Sequence, residues 1–182
     1  MRTGQAMPSP DFLCIGAQKA GTTWLDQMLR QHPQVFLPPM KEVHFYDFLY
    51  IPEHRGWIRT SFQKHVDRQE QGKGIGRLLK GREKAPDAFA GYFARLAGLP
   101  RRQDAWYEAV FDHPDAEGKC KGEITPAYSI LPAEGIAHVR ATNPAMKLLY
   151  IVRDPVDRAL SHLRMAAARR SQSSATVVPL RS

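Results

Sequence analysis

Two cations in this sequence are placed to do chemistry on an anion: Lys19, inside a glycine-bounded loop, and Arg153, at the end of an apolar run. A third cluster, Lys41-Glu42-Val43-His44-Phe45-Tyr46-Asp47, gathers charged and aromatic side chains that need a reason to be together. The loop reads Gly16-Ala17-Gln18-Lys19-Ala20-Gly21-Thr22-Thr23-Trp24. Strand, loop and helix start together aim backbone N–H groups and the positive end of a helix dipole at one point, where a phosphate can sit. An ordinary phosphate loop, GxxxxGK[ST], places its lysine directly after the second glycine and uses the Ser/Thr to hold magnesium. Here the spacing from Gly16 to Gly21 is kept, threonine follows, and the lysine has moved into the loop. No aspartate ends a preceding strand to complete a magnesium site. The loop suits a shorter anion, held by backbone amides, Lys19 and the Thr22 and Thr23 hydroxyls.

The elements that must position these residues follow from local pattern. Phe12 to Ile15 is a short continuous apolar run, as expected of a parallel strand covered on both faces. Thr22 or Thr23 caps a helix with Leu25, Met28 and Leu29 on one face, and Pro33 stops it. The loop is then left at the carboxyl end of the strand, where open α/β sheets bind ligands. Pro38-Pro39 discourages helix, so Lys41 to Asp47 reads as a loop. Residues 121–124 form a possible short strand ended by Pro126, and a helix is expected around Ala133 to Ala141. Lys147 to Val152 carries the cleanest strand signal and reads as a central parallel strand. Asp154 is a natural N-cap and Pro155 a natural first residue for a helix that packs Val156, Leu160 and Leu163. Between these units, Ile58, Phe62 and Val66, then Phe89, Phe93 and Leu96, then Trp106, Tyr107, Val110 and Phe111 read as amphipathic helices. Gly72-Lys73-Gly74-Ile75-Gly76 follows no apolar strand and reads as a flexible basic turn.

The 182 residues suit one domain with a real core, and the net charge of +8 suits an anionic partner. Charge alone does not choose among nucleotide, nucleic acid, acidic glycan and membrane surface. The clusters Arg77, Lys80, Arg82 and Lys84, Arg101 and Arg102, and Arg164, Arg169 and Arg170 read as solvated basic surface. Two cysteines, Cys14 and Cys120, supply neither a disulfide framework nor a metal site of Cys/His spacing, so no metal is expected. The first ten residues lack an apolar signal region, and no run approaches the ~20 residues of a membrane span, so a cytoplasmic location and no membrane span are expected.

Taken together and in order, GAQKAGTTWL, KEVHFYD, GEITPAY and YIVRDPVDRALSH resemble the nucleotide-dependent sulfotransferases, especially the heparan-sulfate and related bacterial branch. The resemblance implies a P-loop-like, three-layer α/β domain over residues 11–170, with a small parallel sheet flanked by helices and disordered ends at 1–10 and 171–182. It implies 3'-phosphoadenosine 5'-phosphosulfate as donor, no metal, and no nucleic-acid partner. Gln18, Lys19, Ala20, Gly21, Thr22, Thr23 and Trp24 would hold the 5' end, and Arg153 and Ser161 the 3'-phosphate. Lys19 would neutralise charge developing on the leaving phosphate. Glu42 would be the general base, with His44 as the alternative because its ordinary pKa lies closer to neutrality. The acceptor implied is a hydroxyl, or an amine, of a carbohydrate. Two departures stand beside the match. Many glycan sulfotransferases carry a lysine where this chain has Ile124, leaving Glu123 to orient Lys19 or the acceptor. The residues after Arg170 do not resemble the family's continuation, so a truncated or frame-shifted product is expected. The rival readings are a magnesium-dependent P-loop kinase or NTPase, and an inactive nucleotide-binding remnant.

Overall fold

The structure, a computed structural model, describes residues 9–70 and 86–174. The 72–76 glycine-rich turn and the basic cluster from Arg77 to Lys84 lie outside the described residues. Four parallel strands, β1 (Phe12–Gly16), β2 (Val35–Phe36), β3 (Cys120–Ile124) and β4 (Lys147–Tyr150), form one sheet in the order β2-β3-β1-β4. The period-two alternation of β1 sends its side chains into two cores. Phe12 and Cys14 face Leu37, Ile124 and the Leu25 and Leu29 side of α1 (Thr22–Leu29). Leu13 faces the larger, aromatic core. That core is built by α2 (Phe45–Tyr50), α3 (Arg55–Glu70), α4 (Pro86–Ala97), α5 (Asp104–Phe111) and α6 (Ala133–Thr142). Helices therefore cover both faces of a small parallel sheet, in the three layers expected of this class.

Within the large core, Phe45 stacks on Tyr107 with ring centroids 4.6 Å apart and lies parallel to Trp106 at 6.2 Å. Beneath them, Glu123 of β3 is 1% exposed. Its carboxylate accepts hydroxyl hydrogen bonds from Tyr107 (2.6 Å), Thr125 (2.6 Å) and Tyr128 (2.7 Å). The Tyr128 hydroxyl in turn accepts the Phe45 N–H at 2.9 Å, tying the first residue of α2 to the sheet.

Three elements differ from the pattern-based reading. Helix α2 begins at Phe45, so only Lys41 to His44 of the charged cluster is loop; the chain turns through a left-handed Glu42 and a left-handed His44, from which the helix starts. Strand β4 lies at the sheet edge, and its Leu148, Leu149 and Tyr150 are exposed, because among the described residues no element lies beyond it. Helix α7 (Pro155–Ser174) is capped by Asp154 Oδ1, which accepts the N–H groups of Val156 and Asp157. Its Val156, Leu160 and Leu163 nevertheless face solvent rather than a packed neighbour, and the helix runs four residues into the stretch read as a tail. An apolar stripe records what a helix is built to cover, not whether the cover is present. At the other end, Pro10 is buried and accepts a hydrogen bond from Asn143, so order begins within the stretch read as a disordered end.

Gly122 sits directly opposite Phe12 in the β1–β3 register, and a Cβ on it would land inside the buried Phe12 ring. Substituting Gly122→Ala should therefore destabilise the fold by about 1–3 kcal/mol, the usual penalty for overpacking a core. Chemical denaturation measures it; an unchanged midpoint would show that the ring moves aside freely.

Candidate active site

The loop between β1 and α1 carries its chemistry on an unusual backbone. Gly16 and Gly21 have φ of 147° and 105°, and Lys19 itself has φ 68°. Gly21, not Thr22 or Thr23, stands at the N-cap of α1: its left-handed backbone starts the helix one residue earlier than a threonine cap would, no side chain caps it, and no acidic residue occupies the first turn. The first-turn amides are thus open to an anion, with the helix dipole behind them. Ala20 N–H turns back to Ala17 O at 3.1 Å, closing the loop on itself. Thr22 is buried, Thr23 and Gln18 are exposed, and Trp24 is 65% exposed beside the cradle.

Arg153, at the carboxyl end of β4, crosses the sheet rim and donates from Nη1 to Lys19 O at 3.1 Å. The Lys19 ammonium rests 3.7 Å from Met165 Sδ on α7. From the third segment, Lys41 Nζ donates to Thr23 Oγ1 at 2.8 Å and lies 3.5 Å from Glu42 Oε1. These contacts tie Lys19, Thr23, Lys41, Glu42 and Arg153 to one loop, although they come from three separate stretches of chain. Ser161 stands half-buried on α7, eight residues beyond Arg153, and makes no hydrogen bond to the cluster.

Glu42 is followed by a buried relay of charges. His44 Nε2 donates to Glu42 Oε2 at 3.2 Å, and His44 Nδ1 donates to Asp47 Oδ2 at 2.8 Å. Asp47 is fully buried, and its Oδ2 also accepts from His54 Nδ1 at 3.0 Å. Burial alone would lower the His44 pKa, but its hydrogen bonds to Asp47 and Glu42 outweigh that and raise it to about 9. His44 therefore holds its proton at neutral pH and is not free to accept another. Burial likewise works to raise Glu42 and Asp47, yet the imidazolium, with Lys41 for Glu42 and His54 for Asp47, holds both carboxyls below their usual range. Of the two candidate bases, Glu42 alone is an open proton acceptor.

Among the described residues, the non-glycine residues with positive φ are Lys19, Glu42 and His44. All three are the residues nominated for catalysis. Each left-handed residue costs of order 1 kcal/mol or more, and such conformations concentrate where surrounding structure holds them for a purpose.

Two features escaped the sequence. Glu123 does not orient Lys19, because its oxygens are taken by Tyr107, Thr125 and Tyr128. Arg101 is no surface cation: its guanidinium lies 4.4 Å over the Trp106 ring, also faces Phe62 and Phe48, and donates to Val43 O at 2.6 Å. Burial pushes its pKa down to about 10, so it stays charged while bracing the backbone between Glu42 and His44. The one available signal was the aromatic segment just after it. Among the described residues, no group of three or more His, Cys, Asp and Glu is arranged to hold a metal ion, and no helix is long and apolar enough to cross a membrane.

Comparison with known proteins points one way. The model of a sulfotransferase family matches residues 10–179. A membrane-associated sulfotransferase, kil1 of Dictyostelium discoideum, is 24% identical over 172 residues, covering 93% of this chain and 26% of that protein. The crystal structure of a sulfotransferase from Alicyclobacillus acidocaldarius aligns with a TM-score of 0.52 and 28% identity, over 88% of this chain and 51% of that one. This chain thus spans about a quarter of the first and half of the second.

The relay makes stability depend on pH with a definite sign. His44 gains its proton more tightly on folding, so its contribution is complete below about 6.5, its ordinary value, and is lost as pH rises through about 9. Glu42 and Asp47 contribute above their ordinary range and lose that contribution in acid. Thermal unfolding between pH 6 and 10 should show the midpoint falling across the His44 window, with a much flatter profile for His44→Gln. Equal slopes for the two proteins would refute the relay.

Proposed function

Because the chain belongs to the sulfotransferase family, we propose that it moves a sulfuryl group from 3'-phosphoadenosine 5'-phosphosulfate to a hydroxyl, or an amine, of a carbohydrate acceptor. The observation that carries this reading is the meeting of an open anion cradle, three cations and one ionised carboxylate at a single rim. The cradle of Gln18 to Trp24, with Lys19, suits the 5'-phosphosulfate. Arg153, and Ser161 beyond it, suit the separate 3'-phosphate, so the two anions of the donor have two sources of positive charge and hydrogen bonds.

In the transfer, the acceptor oxygen attacks sulfur and forms the new S–O bond. The bond from sulfur to the bridging 5'-phosphate oxygen breaks, and its electron pair stays on that phosphate. Lys19 and Lys41, on either side of the cradle, neutralise this charge as it grows. The acceptor's proton passes to Glu42. A carboxylate with a lowered pKa is a weak base, but it is always ionised at neutral pH, and the acceptor hydroxyl becomes more acidic as its oxygen bonds to sulfur. His44, held charged by Asp47, orients Glu42 Oε2 and leaves its other oxygen, Oε1, beside Lys41. Family membership displaces the magnesium-dependent kinase reading.

Calorimetry with adenosine 3',5'-bisphosphate tests the donor half. Binding should occur without magnesium, and Arg153→Ala should weaken it by about tenfold or more, the loss expected of a charged hydrogen bond. A preference for magnesium–ATP would sink the reading. Transfer from labelled donor to a glycan panel tests the chemistry: Lys19→Ala should lower the rate by about 100-fold or more, and Glu42→Gln by a similar factor, both with bisphosphate affinity less affected. Background rates in the unaltered chain would leave a nucleotide-binding remnant.

A further inference from the structure

We propose that His54 is a positioning residue for the transfer: by donating to the same Asp47 oxygen as His44, it keeps Asp47 fit to hold His44, and through it Glu42, in place. This rests on Glu42 being the base. His54 ends a short helical turn (Pro52–His54) between α2 and α3, so it reaches the relay from outside the segment that carries Glu42, His44 and Asp47.

Asp47 depends on that reach. Its Oδ2 accepts from His44 Nδ1 at 2.8 Å and from His54 Nδ1 at 3.0 Å, while Oδ1 is buried without a hydrogen-bond partner among the described residues. His54 thus supplies one of the two described hydrogen bonds to a fully buried carboxylate. An imidazolium and a carboxylate kept from water can shed their charges by passing the shared proton from Nδ1 to Oδ2. A second donor on Oδ2 opposes that step, because an ionised oxygen accepts it more strongly than a protonated one does. Keeping the proton on His44 matters downstream. A cationic His44 gives Glu42 Oε2 a charge-assisted hydrogen bond; a neutral one donates the same N–H more weakly and leaves Glu42 without the cation that favours its ionised form.

The other charged groups around the relay do not replace His54. Lys41 acts on Glu42, at the far end. Arg101, from the connection between α4 and α5, acts on Asp47 only at a distance, and so does Glu123 of β3 on His44; their described hydrogen bonds go elsewhere. Trp57, in the first turn of α3, meets His44 edge-on at 4.6 Å and lies tilted against His54 at 5.4 Å, so one indole packs both imidazoles. The turn itself does not need the His54 side chain. His54 N–H donates to Ile51 O at 3.0 Å, and Arg55 donates to Phe48 O and Leu49 O at 2.9 and 2.7 Å, which anchors this backbone to α2.

The test pairs nitrogen-15 NMR titration of the histidines in the full chain with the pH dependence of sulfate transfer. In the unaltered chain His44 should stay protonated up to about pH 9, and His54 should carry a hydrogen on Nδ1. His54→Phe keeps an aromatic ring beside Trp57 and removes the donor. It should lower the pH at which His44 loses its proton by about one unit or more, the size of a lost hydrogen bond to a charged group. Its kcat should fall about tenfold, with the acid limb of the profile moved upward and with KM and bisphosphate affinity unchanged. His54→Asn, whose amide restores an N–H donor on a short side chain, should recover most of both effects. Equal His44 titrations in the unaltered chain and His54→Phe, a His54 with its hydrogen on Nε2 alone, or a lost rate that His54→Asn does not restore would each overturn the proposal. The His54 tautomer is read in the unaltered chain, so that arm decides even where a variant does not fold. Background transfer by the unaltered chain, with His44 titrating as stated, would instead overturn the transferase reading beneath the proposal.

Discussion

A buried carboxylate with three hydroxyl donors is the contact on which the site's geometry depends. Among the described residues Glu123 forms no ion pair; burial raises its pKa, and the hydroxyls of Thr125, Tyr107 and Tyr128, with the more distant His44, oppose that rise. A carboxyl group in such a place is tolerable only while its oxygens are saturated. The requirement locks three elements at once: β3 through Glu123, α5 through Tyr107, and the turn after β3 through Tyr128. Tyr128 then passes the constraint on by accepting the Phe45 N–H, which places the start of α2 and hence the left-handed His44 just before it. The aromatic rings of Phe45 and Tyr107, stacked at 4.6 Å, exclude water from the network. Residues that never approach the cradle thus determine where Glu42 stands.

From that anchor, charge alternates outward to the surface. Asp47 is buried, His44 is cationic, Glu42 is anionic, Lys41 is cationic, and Lys41 ends on Thr23 of the anion loop. Each neighbour stabilises the charged form of the next, so burial's tendency to neutralise them is overcome at His44, Glu42 and Asp47 alike. The arrangement separates two tasks that a lone histidine would have to combine. His44 orients and holds a proton, while Glu42 stays open to receive one. Arg101 fixes the same loop from below through Val43 O, so both left-handed residues are held on either side of a braced carbonyl.

Much of this was legible from the sequence, and the limits are physical. The strand, loop and helix at Phe12 to Leu29 show themselves through local pattern, because glycine spacing and apolar periodicity are properties of neighbouring residues; the cap expected of Thr22 or Thr23 is absent, since the helix starts at Thr22 from Gly21. Asp154 and Pro155 mark a helix start for the same reason. Arg101 and Glu123 are different. Their roles come from partners brought together by folding, Trp106 and Val43 for one, Tyr107 and Tyr128 for the other, and nothing at their own positions separates a buried arginine from a solvated one. Family resemblance located Glu42 and His44, but that His44 holds its proton depends on Asp47 standing behind the imidazole. The placement of β4 went astray through an inference from apolarity to coverage: its residues are those of a strand buried on both faces, and here both faces are open.

That openness divides the candidate site into unequal halves. Lys19, Thr23, Glu42 and His44 stand on elements packed into two cores, whereas Arg153 and Ser161 follow an edge strand and lie on a helix whose apolar residues meet solvent. Buried apolar contact, on which local order generally depends, therefore supports the first half more than the second, which is joined to it mainly by the β1–β4 ladder. Beyond the backbone ladder of β1 with β4 and its extension between Ile151 and the Gly16–Ala17 peptide, the described side-chain contacts between them are Arg153 to Lys19 O and Lys19 to Met165, and each involves a residue proposed to hold the donor. A nucleotide with one anion in the cradle and another at Arg153 would bridge the halves directly. Its binding energy would then be spent partly on ordering β4 and α7, which makes the affinity of this chain for a two-anion nucleotide a measure of how well the lighter half is held, as much as of the contacts themselves.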